Sequence, residues 1–276
     1  MVDDPRFPAL LAGAQDGVSF ADAVVVITGA SAPASIGYQI AANFAKGGAR
    51  VVITGSRDLE QITATAQQLI EEVGSGAVLP ARVNQGNLEE LDELLAFLKK
   101  DGLAVTHLYP FAAINHPVLF FGTKPEDYAK VFGINVFGVW HLAVRHSRQA
   151  PRNQPWYVVV PLSPNDGRLQ GSGLYPATKQ ALRPLVVQGH HEIGARRGGT
   201  YTGIDIAWTR SALMSKLDEG VEKAREIGLT VFETADTADC CTLLGTAAAQ
   251  NMAGEVLNAA GGFDKADPSA MASLFG

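Results

Sequence analysis

The chain has 276 residues, 47% hydrophobic and 18% charged, a composition that fits a globular protein with a large core and excludes a disordered or coiled-coil chain. A formal net charge of −6 without a basic run argues against non-specific nucleic-acid binding, while leaving room for a local basic pocket around one phosphorylated cofactor. The two cysteines, Cys240 and Cys241, are adjacent, which excludes a disulfide framework and points to a reducing, cytoplasmic setting; no secretory signal opens the chain, and no apolar run approaches the roughly 20 residues of a membrane span.

Residues 1–22 read as an N-terminal extension. From there, short β-branched runs alternate with longer helical patterns, the signature of β-α-β units and a parallel sheet. Strands are expected at 23–28, 50–54, 77–82, 106–111, 156–162, 202–208 and 255–258, and helices at 36–46, 58–73, 88–100, 125–149, 175–196 and 234–250. No composition break divides them. The pattern predicts one α/β domain over 23–263, a Rossmann-type, doubly wound parallel sheet of about seven strands with helices on both faces, followed by a tail at 264–276. Three stretches interrupt the regularity. Residues 114–124 form a loop with Pro117, Phe120 and Phe121; residues 211–230 fall where a helical lid would cover the strand ends; and Pro184 should kink or shorten the helix that carries Tyr175 and Lys179.

The first strand runs into Thr28-Gly29-Ala30-Ser31-Ala32-Pro33-Ala34-Ser35-Ile36-Gly37, and a helix follows. Small residues there let the backbone approach a pyrophosphate, to which the helix N-terminus offers free N–H groups and a positive dipole end. Gly29, Ser31, Ser35, Ile36 and Gly37 are the candidates. Ser35 stands where a middle glycine is expected, so the turn should be wide. The second strand ends Thr54-Gly55-Ser56-Arg57, with no carboxylate to bind a ribose diol. Ser56 and Arg57 suit a 2′-phosphate instead, with Ser31 as a further contact, which favours NADP(H) over NAD. Asn84, at the end of the third strand, is placed for the adenine edge.

Tyr175 and Lys179 form a Y-x-x-x-K pair on one helix face, and Ser163 ends the preceding strand. Together they make a proton-transfer site for carbonyl/alcohol redox chemistry. Tyr175 is the candidate acid, Lys179 the cation that lowers its pKa and holds the nicotinamide ribose, and Ser163 the hydrogen bond to the substrate oxygen. Asn135 lies inside a helix that does not favour Asn; it is read as holding a water between Lys179 and solvent, with a buried structural role as the alternative. His190 and His191 have no carboxylate or Cys at ligand spacing, so no metal site is expected.

This constellation resembles the short-chain dehydrogenase/reductase family over residues 23–263. It looks most like the ketoacyl-reductase domain of fungal and actinobacterial type I fatty acid synthases, on Ser163-Pro164-Asn165-Asp166-Gly167, Gly173-Leu174-Tyr175, Trp208-Thr209-Arg210, Leu213-Met214-Ser215, Pro110-Phe111-Ala112-Ala113 and Asn84-Gln85-Gly86. The resemblance implies NADPH-dependent reduction of a 3-oxoacyl thioester, carried by coenzyme A or an acyl carrier protein, in fatty acid or polyketide assembly. It also implies a homodimer or homotetramer and, by analogy, carboxamide contacts at Thr209. For an acidic carrier, Arg145, Arg148, Arg152 and Arg168 are the basic-rim candidates. Two departures stand out. Pro110-Phe111-Ala112-Ala113 replaces the family's Asn-Asn-Ala-Gly, removing an asparagine brace, and Ala207-Trp208 replaces Pro-Gly. With Met1 at its start and a Gly261-Gly262 turn after the last strand, the chain reads as a freestanding reductase, with a domain excised from a longer synthase as the alternative. A different ketone or alcohol substrate, or an NADP-binding protein without turnover, are the competing readings.

Overall fold

The computed structural model describes residues 2–14, 19–74, 77–213 and 218–272. In chain order the elements are α1 (Phe7–Ala14), β1 (Val24–Thr28), α2 (Ile36–Lys46), β2 (Arg50–Gly55), α3 (Leu59–Val73), β3 (Ala77–Arg82), α4 (Leu88–Lys100), β4 (His107–Pro110), α5 (Pro125–Phe132), α6 (Gly138–Gln149) and β5 (Trp156–Leu162). There follow α7 (Tyr175–Gln180), α8 (Arg183–Gln188), α9 (Ala195–Arg197), β6 (Gly199–Ile206), β7 (Thr209–Arg210), α10 (Asp218–Glu226), β8 (Phe232–Glu233), α11 (Thr234–Leu243), β9 (Val256–Ala259) and α12 (Pro268–Ala272). Seven strands form one parallel sheet in the order β3-β2-β1-β4-β5-β6-β9, and β7 pairs with β8 in a separate two-stranded sheet.

The chain winds outward from β1 in one direction and from β4 in the other. The strand order therefore reverses between β1 and β4, and that crevice, at the carboxyl ends of the strands, is where open α/β sheets bind ligands. Both faces of the sheet are covered. Val25, Ile27, Val51 and Ile53 face a core shared with Ile40 and Phe44 of α2 and Leu244, whereas Val26, Val52, Leu108, Val158 and Val160 face one shared with Leu91 and Leu95 of α4 and Leu142 of α6. Burial on both sides explains why the strands read as continuous apolar runs.

The predicted helix at 125–149 is continuous in direction, but residues 133–137 form a π-turn in which the Gly138 N–H bonds to the Gly133 carbonyl. The helix predicted at 175–196 breaks after Gln180. Pro184 falls in the first turn of α8, where its missing N–H sacrifices no helical bond. A second π-turn spans Gly189–Gly194. The strand predicted at 202–208 begins earlier, at Gly199, and ends at Ile206. Glycine weakens a strand signal, yet here it is required: a Cβ on Gly199 would meet the Trp156 ring at 2.1 Å. The helix predicted at 234–250 stops at Leu243, and a 3₁₀ segment follows at Ala247–Met252.

The residues before β1 are joined to the domain. Leu10 of α1 packs in the first core, and buried Asp4 accepts hydrogen bonds from the Asn258 N–H (2.9 Å) and from Arg6, which holds its carboxyl down to about 2. No helix among the described residues is long and apolar enough to cross a membrane.

Candidate active site

A cavity of about 580 Å³ opens over the carboxyl ends of β1, β4 and β5. At one end lie Gly29, Ser31, Ser35, Ile36, Gly37, Ser56 and Asn84, and at the other Ser163, Tyr175, Lys179 and Thr209. The two constellations expected from sequence thus line one continuous space.

The cradle end is built on close backbone approach. Gly29 has φ +70°, and a Cβ there would lie 2.7 Å from the Cα of Ala112; a Cβ on Gly37 would lie 3.0 Å from the Gly29 carbonyl oxygen. Ser35 caps α2 by accepting the Tyr38 N–H at 3.1 Å, which leaves the first-turn N–H groups of Ile36 and Gly37 without intrahelical acceptors beside the cavity. Donor-rich, carbon-poor backbone at a helix N-terminus fits a dinucleotide pyrophosphate. Gly29→Ala is expected to lower stability by about 1–3 kcal/mol through strain at positive φ, read as a lower urea midpoint, because the Ala112 backbone cannot retreat.

The end of β2 fits a phosphate. Ser31 packs directly against Gly55, where a Cβ would fall 2.5 Å from the Ser31 Cβ, and Ser56 borders the cavity. Arg57 is exposed, sits outside the cavity lining, and makes no ion pair with the described residues, so its guanidinium is free to turn inward. Asn84 spends its side-chain oxygen on the Gly86 N–H at 3.0 Å, keeping its amide N–H groups for a ligand.

At the reaction end, Lys179 is 3% exposed and donates to the Pro161 carbonyl at 3.0 Å. Its Nζ stands 5.6 Å from the centre of the Tyr175 ring. The Ser163 hydroxyl oxygen accepts the Asn165 N–H at 3.2 Å, leaving its proton for another acceptor. The Tyr175 pKa is raised by burial in this structure rather than lowered as expected. Burial pushes the phenol up to about 12 and the ammonium down to about 8, since desolvation disfavours both charged forms and the Nζ is committed to a backbone carbonyl. The pair is therefore a neutral phenol beside a lysine that is mostly protonated at neutral pH.

Two expected site residues have defined surroundings. The Asn135 side chain matches the buried structural alternative: it is fully buried, accepts the Ile114 N–H (2.9 Å), and donates to the Ile114 carbonyl (3.0 Å) and to Thr178 Oγ1 (3.2 Å). Both amide hydrogens are used, so it clasps the loop after β4 to α7. The Thr209 hydroxyl faces away from the cavity, bonded to the Ala207 carbonyl (3.1 Å) and Thr237 Oγ1 (3.0 Å), leaving its main chain to border the site. The part of the expected lid that is described contains Ala212, whose N–H bonds to the Ala34 carbonyl at 2.8 Å across the cradle, and α10, whose Ala224 packs with Trp208 and Phe263. Met214 and Ser215 of the Leu213-Met214-Ser215 stretch lie outside the described residues.

Gln85 is the residue that sequence reasoning passed over. Its amide donates to both the Ala112 and Ile134 carbonyls at 2.8 Å, and its oxygen accepts from Thr28, which in turn accepts the Ala112 N–H at 3.0 Å. This ties β1, the loop after β4 and the π-turn together, supplying the brace that Pro110-Phe111-Ala112-Ala113 had seemed to lack. Gly138 permits it, because a Cβ there would strike the Gln85 carbonyl at 2.0 Å. Gln180 is a second such residue, donating to the Ser163 and Asn165 carbonyls at 3.1 and 3.3 Å while Arg183, paired with Asp205, holds its oxygen.

The family model described as enoyl-(acyl carrier protein) reductase matches residues 29–264. The chain is 32% identical over 247 residues to the fatty acid synthase alpha subunit stcJ of Emericella nidulans, covering 86% of this chain and 16% of that protein. It is 31% identical over 239 residues to the fatty acid synthase subunit alpha of Saccharomyces cerevisiae, covering 81% of this chain and 12% of the relative. The chain thus spans less than a fifth of these relatives' length. Among solved structures, a dehydrogenase/reductase from Sinorhizobium meliloti superposes with a TM-score of 0.81 at 21% identity, covering 91% of this chain and 98% of that one. A short-chain dehydrogenase from Burkholderia cenocepacia, crystallised with NADP, gives 0.78 at 18% identity, covering 88% and 98%. With the sheet order, the cradle and the Ser163, Tyr175 and Lys179 cluster already in place, these matches establish that the chain belongs to the short-chain dehydrogenase/reductase family of oxidoreductases.

Proposed function

We propose that the protein reduces 3-oxoacyl thioesters to 3-hydroxyacyl thioesters with NADPH. The observation that carries the reading is the convergence of Ser163, Tyr175 and Lys179 in a cavity continuous with a phosphate cradle, in a chain similar to fatty acid synthase alpha subunits. A reduced nicotinamide bound there supplies the hydride. Ser163 donates to the substrate carbonyl oxygen and fixes it, and Tyr175 delivers the phenolic proton to the same oxygen as charge develops on it. Lys179 opposes the negative charge left on Tyr175 and holds the ribose hydroxyls. Leu169, Trp208, Leu213 and Phe263 provide an apolar side for the acyl chain.

The 2′-phosphate preference rests on Ser31, Ser56 and Arg57 in the absence of a carboxylate at the end of β2. Arg57→Ala is expected to weaken NADPH binding by about 10- to 100-fold, the worth of a charge-assisted hydrogen-bonded contact, and to leave NADH binding unchanged. Fluorescence titration with both cofactors checks this.

Of the four rim candidates for an acyl carrier protein, Arg168 follows β5 at its carboxyl end, beside the cavity-lining Leu169. Arg148 and Arg152 stand at the end of α6 and in the turn before β5, hence at the amino ends of the strands, opposite the site. Arg145 is paired with Asp92 and Arg168 with Asp166, each at 2.7 Å. The deciding experiment follows NADPH oxidation with an acetoacetyl thioester presented as the coenzyme A ester and as the carrier-protein ester. Turnover supports the reading and tells which carrier is preferred. Tight NADPH binding without turnover on either ester, nor on longer 3-oxoacyl esters, overturns it.

A further inference from the structure

We propose that His116 is a positioning residue for Tyr175, acting as a fixed hydrogen-bond acceptor that sets where the helix carrying the phenol begins. This rests on the reading of Tyr175 as proton donor. The loop after β4 passes from the Asn135 clasp at Ile114 to His116, which is 9% exposed and stands between two other elements. The Leu174 N–H donates to His116 Nδ1 at 3.3 Å, and His116 Nε2 lies 3.0 Å from Asp127 Oδ2. An N–H aimed at one ring nitrogen and a carboxylate at the other select a single tautomer: the lone pair is on Nδ1 and the proton on Nε2. Asp127 is itself anchored, accepting the Lys124 N–H at 2.9 Å at the start of α5. The chain of contacts runs from the first turn of α5 through Asp127 and His116 to Leu174, the residue before Tyr175.

The turn ahead of α7 is shaped around this imidazole. Gly173 has φ +52°, and a Cβ there would lie 2.3 Å from both the Nδ1 and the carbonyl oxygen of His116. Gly167 and Gly171 also have positive φ, so the approach to Tyr175 is glycine-rich. Pro176 has no N–H, which leaves Leu174 and Tyr175 as the donors that tie this end of α7; Tyr175 bonds back to Ser172 at 3.1 Å, within the same loop, and Leu174 bonds to His116, outside it. The His116 contact thus registers the last residue before Tyr175 against the loop after β4, while Gln180 at the Asn165 carbonyl and Arg168 at the Asp264 carbonyl (3.0 Å) hold the loop farther back. Loss of it frees the half-buried Leu174 N–H and lets the phenol drift from the line between Ser163 and the substrate oxygen. Reaction rates are sensitive to such displacements.

Asparagine places a carboxamide oxygen where Nδ1 stands, whereas phenylalanine keeps the ring and offers no acceptor. H116F is expected to lower kcat by about 10- to 100-fold, with the NADPH dissociation constant within about twofold of wild type, and H116N to recover most of that loss. Thermal melting identifies any variant that has failed to fold, and amide exchange at Leu174, followed by NMR without substrate, reads the hydrogen bond itself: faster in H116F, protected again in H116N. Equal kcat losses in H116N and H116F, or Leu174 exchange unchanged in H116F, overturn the proposal. If wild-type protein reduces no 3-oxoacyl thioester, the reductase reading fails separately, and the Leu174 exchange rates then decide alone whether His116 holds this turn.

Discussion

Tyr175→Phe is expected to lower the rate of thioester reduction by about 10²- to 10⁴-fold while NADPH still binds, because it removes the acidic proton and little else. The structure adds a pH dependence. With the phenol raised to about 12, Tyr175 stays protonated across the assay range and its own titration limits nothing below that value. Lys179, brought down to about 8, is the group that titrates. Below that pH it carries the positive charge that stabilises the phenolate as it forms; above it the charge is lost. Reduction should therefore be flat up to about pH 8 and fall as pH rises through it. Lys179→Met keeps the length of the side chain and removes the charge, so it should depress the plateau and abolish the alkaline limb. A wild-type profile that rises through pH 8, or a Tyr175→Phe variant of normal activity, overturns the assignment of Tyr175 as acid and Lys179 as its cation.

What the sequence reveals here follows from range. The strands were legible because burial on both sides of a parallel sheet demands continuous β-branched runs, and Val24–Thr28, Arg50–Gly55 and Trp156–Leu162 are such runs. The Tyr175 and Lys179 pair was legible because a helical spacing of four is local. Pro184 showed where that helix would break for the same reason. Gln85, Gln180 and His116 were not, since each acts on main-chain groups brought to it by the fold: Gln85 holds carbonyls 27 and 49 residues away, and His116 meets an N–H 58 residues away. Main-chain partners leave no trace in residue type. Glycine did offer a signal. Gly138 and Gly173 would otherwise collide with Gln85 and His116, but a glycine gives notice of a close approach without naming what approaches. Arg148 and Arg152, close in sequence around the α6–β5 connection, are carried to the opposite end of the sheet from the site, whereas Arg168 follows β5 at the site's end.

Acidification is expected to remove about 5 kcal/mol of stability between pH 7 and 4.5, a third or more of the about 5–15 kcal/mol a folded domain holds in reserve. Two deeply buried histidines carry most of the effect, and His190, also lowered by burial and by His191 beside it, adds to it. His107, 6% exposed, sits at the start of β4 with Nε2 2.8 Å from the Gly245 carbonyl and its ring stacked on Tyr157, and desolvation lowers its pKa to about 4. His146, 1% exposed, meets Trp156 edge-on with Nε2 unpartnered, and desolvation lowers it to about 3. Both bind a proton near the ordinary pH of 6.5 when the chain unfolds and resist it when folded. The unfolded state therefore holds more protons below 6.5, so the stability present above that pH drains away as pH falls toward 4 and 3. The carboxylates held near 2, Asp4 and Asp166, join only below the ordinary carboxylate range. Between pH 6 and 4.5 the two histidines give a slope of about 2.7 kcal/mol per pH unit, one proton for each ring. His146→Phe tests the account because the 180 Å³ cavity beside His146 leaves room for the larger ring and the edge-on contact with Trp156 survives. Urea midpoints across this range should show the slope reduced by about 1.4 kcal/mol per unit, the contribution of one proton. An unchanged slope would mean that His146 is already protonated in the folded protein, and the acid sensitivity would then have to come from carboxylates at lower pH.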